Sequence, residues 1–120
     1  VSMMREAWVG PDRESARETW GDAVMQPHRY YYSAGGYSEE ADPWLQEIDD
    51  PQELEFDRLQ EDRFIFGSPE DCIEPIEECH ETLGATHFAL RFRYAEGPSH
   101  EETMSAIQRF GEEVIAYFES

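Results

Sequence analysis

The stretch Phe64-Ile65-Phe66-Gly67-Ser68-Pro69-Glu70-Asp71 puts a bulky apolar run, a glycine and a helix-starting signature into eight consecutive positions. The apolar run, Arg63 to Phe66, reads as a strand. Ser68 is placed as an N-cap, Pro69 at the first helical position, and Asp71, three after the cap, closes a capping box. The helix that follows should end at Gly84, and Cys72, Ile73, Ile76, Cys79 and Leu83 recur on it at helical spacing. The same grammar returns from Thr86 to Tyr94 as a strand, then Gly97-Pro98, Ser99 as N-cap and Glu102 completing a second box. Met104, Ile107, Gly111, Val114 and Phe118 then mark the buried face of the last helix.

An earlier unit completes the set. Val1 to Val9 reads as a strand, Gly10-Pro11 breaks it, and Asp12 caps a helix to about Gln26 whose apolar face is Ala16, Trp20, Ala23 and Val24. Pro27 ends or kinks that helix, with His28 to Tyr32 adding a turn or two before Gly35-Gly36. Three strand-then-helix units in succession predict an α/β fold, with parallel strands and helices packed outside them.

A chain of 120 residues is one domain by length, with an excursion at about residues 35–62 between the first two units. From Ser38 to Asp62 it holds eleven acidic residues and one arginine, with Trp44, Leu45, Ile48, Leu54, Phe56 and Leu59 as anchors. A short helix from Gln52 to Gln60 is expected there, and an insertion of this length usually serves function or covers something. The acidity is general: 28 Asp and Glu stand against nine basic residues, all arginine, for a net charge of −19. Such a surface excludes nucleic-acid backbones as partners. Adaptation of the whole surface to high salt is favoured over an acidic patch for a basic protein, because the acids are spread along the chain.

Cys72 and Cys79 lie roughly 10 Å apart along a helix, too far for a disulfide, which points to reduced thiols and a cytoplasmic protein. No apolar run reaches the roughly 20 residues needed to span a membrane. The four histidines, His28, His80, His87 and His100, show no metal-ligand spacing. Val1 opens the sequence inside a strand-like run, as a piece of something longer would.

The run GSPEDCIEPIEECHETLGATHFALRFRY, followed by GPSHEETMSAIQRFGEEVIAYF, resembles the C-terminal end of luciferase-like flavin-dependent monooxygenases. The opening VSMMREAWVGPDRESARETW is similar to the strand and helix that precede that end. The resemblance implies the last three units of an eight-stranded (β/α) TIM barrel, incomplete as a single chain. It implies FMN or the deazaflavin F420 as cofactor and a small organic substrate. Most catalytic and flavin-contacting residues of the family would lie in the missing part, so no catalytic residue is named and activity from this chain alone is not expected.

Four residues are candidate cofactor contacts. Gly67 and Ser68 form the turn after a strand, where barrels hold phosphate at a helix N-terminus. Against that stand Glu70 and Asp71 in the first turn, which favour plain capping. Arg91 and Arg93 alternate with Phe88, Leu90, Phe92 and Tyr94, so that they would point into a barrel and could grip a flavin phosphate. Pairing with carboxylates is the favoured alternative for both. The rival function is a non-catalytic, self-associating α/β module, a homodimer that completes its sheet, because an open three-stranded sheet leaves edges unpaired. Its partner is otherwise the missing N-terminal part of the barrel.

Overall fold

The computed structural model describes residues 2–35, 43–60, 63–94 and 97–119. Both serine caps form. The Ser68 amide donates to the Asp71 carboxylate at 3.0 Å and the Asp71 amide to the Ser68 hydroxyl at 3.2 Å. The Ser99 and Glu102 pair does the same at 3.2 and 3.1 Å. These boxes start helices α3 (Pro69–Leu83) and α4 (His100–Phe110), and Gly84, at φ 68°, closes α3. Asp12 caps α1 (Arg13–Ser33), its side chain accepting from the Ser15 amide at 2.7 Å. Helix α1 continues through Pro27 to Ser33. One backbone hydrogen bond is lost there, and burial of His28 on the far side of the proline holds the last turns in place.

The sheet is parallel, from β1 (Ser2–Val9), β2 (Phe64–Gly67) and β3 (His87–Arg91), in the order β2-β1-β3. Consecutive strands of a barrel would stand in chain order, so the central place of β1 is a departure from that expectation. The C-terminal half of β1 pairs with β2 (Ala7 with Ile65) and its N-terminal half with β3 (Arg5 with Leu90). Paired residues of a parallel ladder face the same side. Glu6, Trp8, Phe64, Phe66, Ala89 and Arg91 therefore share one face; Arg5, Ala7, Ile65, Phe88 and Leu90 share the other.

Helices cover both faces. On the first, Trp20 of α1 sits 5.5 Å from the Phe64 ring and 6.3 Å from that of Phe66. On the second, Ile76 of α3 and Phe110 of α4 surround Phe88 and Leu90. This follows from handedness: a right-handed crossover from β1 to β2 and another back past β1 to β3 must lie on opposite faces. A barrel keeps its helices on one face only.

The excursion packs its anchors over α1. Leu45, Leu54, Phe56 and Leu59 are buried, and the Phe56 ring stands edge-on to Phe66 at 5.1 Å. The single helix expected from Gln52 to Gln60 is instead a 3-10 turn (Pro51–Glu53) and a one-turn helix, α2 (Phe56–Leu59). Asp50 accepts from the Gln52 amide at 2.8 Å and so begins the first of these early. Residues 36–42, 61 and 62, with Gly36 and part of the acidic run, lie outside the described residues, as do Val1, residues 95–96 and Ser120.

The buried face of α4 also differs. Thr103, Ala106, Phe110 and Val114 are buried, whereas Met104, Ile107 and Phe118 are 51, 43 and 43% exposed. Phe92, just past β3, selects this register by taking Phe110 edge-on at 5.4 Å. A π-helical turn, Gly111–Ile115, follows, and then α5 (Ala116–Glu119).

Candidate functional site

Gly67 sits at φ 125°, and a Cβ there would lie 2.6 Å from Asp71 Oδ2 and 2.7 Å from Arg13 Cγ. Only glycine fits. Both polar groups of Ser68, its amide and its hydroxyl, donate to Asp71 Oδ2, at 3.0 and 2.9 Å. The turn therefore spends its donors on its own cap, with the Asp71 carboxylate where an anion would have to sit.

Arg91 ends β3 with its guanidinium 4.3 Å above the Tyr94 ring and its Nε donating to the Arg93 carbonyl at 3.3 Å. Its partners among the described residues are thus a ring and a carbonyl instead of the carboxylates favoured from the sequence. Both arginines are exposed. Gly67 pairs with Val9 on one side of β1 and Arg91 with Glu6 on the other, so two strand spacings and three residues separate them, on the order of 14 Å. The four candidate contacts form two separate places, not one cluster.

A cluster that sequence reading did not single out lies on the α1 face of the sheet. His28 Nε2 stands 2.5 Å from Glu6 Oε1, and the Tyr94 hydroxyl donates to Glu6 Oε2 at 2.7 Å. Both oxygens of one carboxylate are thereby engaged. His28 is 7% and Tyr94 5% exposed, with the His28 ring 5.4 Å from that of Phe64. Burial first, then the hydrogen bond to Glu6 and its charge, push the Tyr94 phenol well above its ordinary pKa and keep it neutral. Arg91, over the Tyr94 ring, forms the solvent side.

A carboxylate behind an imidazole is the arrangement that orients a general base. Here the ring is buried, and the cluster joins three segments: the centre of β1, the part of α1 beyond Pro27 and the chain after β3. One signal in the sequence could have found it. Glu6 shares the strand parity of buried Trp8, so its carboxylate needs donors from elsewhere in the chain.

Cys72 is fully buried, its thiol pushed up to about 12 by burial and by the Asp71 charge, with its Sγ 3.8 Å from the Trp8 carbonyl. That describes an unreactive core thiol. Cys79 is half-buried, and both cysteines are unpaired. Among the described residues no cluster of His, Cys, Asp and Glu could hold a metal, and no helix is long and apolar enough to cross a membrane. The chain matches no family model and no curated protein.

Proposed function

We propose that this chain is the C-terminal part of a luciferase-like flavin-dependent monooxygenase, inactive by itself. In this reading the remainder of the barrel is supplied by the N-terminal part of such an enzyme. The observation that carries the reading is the unfinished cover: among the described residues both outer strands keep one edge unpaired, while Met4, Leu83, Met104 and Ile115 are 47 to 74% exposed. The capped Gly67-Ser68 and Ser99 turns supply further support, because they are the features on which the resemblance rests. In this reading the cofactor, FMN or a deazaflavin, supplies the redox chemistry. Arg91 and Arg93, exposed at the C-terminal end of β3, are its phosphate contacts, the substrate is a small organic molecule, and the protein works in the cytoplasm.

Strand order and two-sided helix cover count against closing a barrel by simply adding strands. They favour the second reading, a non-catalytic module that self-associates through its strand edges. Titration with FMN in buffer of ample salt, followed by flavin fluorescence, separates the two. Saturable quenching that is lost in Arg91→Ala and Arg93→Ala supports the enzyme reading. Absence of quenching at high micromolar FMN, together with a dimer by light scattering, supports the module. A monomer at every concentration overturns the module, and absence of quenching overturns the assignment of Arg91 and Arg93 as flavin contacts.

A further inference from the structure

One cleft among the described residues contains none of the residues discussed above as cofactor contacts. It is a cleft of about 830 Å³ between α3 and the end of the α4–α5 helix, lying over β3. Its floor is Phe88 and Leu90, and its walls include Ile76, Phe110 and Val114. The mouth carries Ile115 and Phe118, 47 and 43% exposed. The π-helical turn at Gly111–Ile115 accounts for this shape. It shifts the helix phase, so that Val114 remains fully buried while the residues after it open toward the cleft.

Acid predominates at this cleft. Glu77, Glu81 and Glu119 contribute to its lining, no arginine does among the described residues, and the one basic side chain there, His80, is held by its Nδ1 at the Ala85 carbonyl, 2.8 Å away. Tyr117, on α5, and Glu77, on α3, both line it, and the Glu77 carboxylate raises the Tyr117 pKa. Three carboxylates beside the rings of Phe88, Phe110 and Phe118 form a chemically specific surface. Ring faces and carboxylates both attract a cation, and the ring bodies with Ile76 and Leu90 attract an apolar one. An anion, a flavin phosphate included, meets repulsion at the rim that the net charge of −19 reinforces.

We propose that this cleft binds a small apolar organic cation, an ammonium ion carrying an aryl or branched alkyl body. Its volume falls within the range of small-molecule pockets. The occupant follows from charge: a second copy of this chain would bring the same carboxylates against the rim. The cleft shares no residue with the proposed flavin contacts.

The test is a titration of the ¹⁵N-labelled chain with benzyltrimethylammonium, followed by amide chemical shifts at constant ionic strength, with 3-phenylpropionate as the anion of similar size. Saturable shifts concentrated at Ile76, Phe88, Leu90 and Val114, at least tenfold weaker for the anion, are expected. Glu81→Gln and Phe118→Ala, both exposed positions, should each weaken binding several-fold while leaving the rest of the spectrum unchanged. Equal response to the anion, shifts elsewhere or none at millimolar probe would overturn the proposal. So would cleft resonances that move with protein concentration before any probe is added, because a second copy would then be the occupant.

Discussion

The two neighbours of β1 have opposite fates. All four residues of β2 are buried, whereas none of the five in β3 is: His87, Ala89 and Arg91 are exposed, and Phe88 and Leu90 are half-buried. Part of the difference is composition: FIFG is apolar on both faces, whereas HFALR puts His87, Ala89 and Arg91 together on one. The rest comes from supply. The first face of β2 lies under Trp20 and Phe56, contributed by α1 and the excursion, and Leu45, Leu54 and Leu59 of the excursion extend that core. Nothing among the described residues performs this service for the Ala89 face of β3. An acidic insertion that looks like solvated loop is therefore part of the core on one side of the sheet.

Substitutions can break this contrast. Trp20→Ala, at the centre of four aromatic rings and fully buried, should destabilise by about 3–5 kcal/mol in urea unfolding. A loss near zero would mean that the β2 side is no better packed than the β3 side. Gly67→Ala, forced to φ 125° and into Asp71, should cost about 3 kcal/mol, against about 1 kcal/mol for Gly84→Ala at φ 68°, where a Cβ meets nothing within 4 Å. Equal costs for the two would show that the Asp71 contact relaxes freely.

Tyr94→Phe removes a hydrogen bond to a carboxylate and should cost about 2 kcal/mol, read from the denaturation midpoint. The same hydroxyl and the Cys72 thiol set an alkaline limit. Both groups hold their protons more tightly folded than unfolded, so their contribution is complete below the unfolded pKa and falls as pH rises. For Cys72 that window runs from 9.0 to about 12, with a slope of about 1.4 kcal/mol per pH unit. Melting temperature should drop through this range, and Cys72→Ala should flatten the decline. The smallest effect sharpens the comparison from its open side: Phe118→Ala should change stability by less than about 0.5 kcal/mol.

How much of this was legible in the sequence varies by element. The caps at Asp12, Ser68 and Ser99 and the left-handed Gly84 were readable because each depends on atoms three to five residues apart. The candidate site was read in fragments: Arg91 and Gly67 were noticed, but not that β1 separates them. For α4, the stripe through Met104 and Ile107 and the stripe through Thr103 and Phe110 are both helical. Periodicity alone could not choose between them; Phe92 did.

The sequence by itself thus determined where α1, α3 and α4 begin and where α3 stops, since backbone hydrogen bonds and their caps close within a few residues. Only the tertiary structure decided the order β2-β1-β3, the split of helices between two faces and the meeting of Glu6 with His28 and Tyr94, 22 and 88 residues away. Those outcomes rest on which apolar faces find cover and on which half-buried carboxylate finds donors. Both are settled between distant segments once the chain has packed.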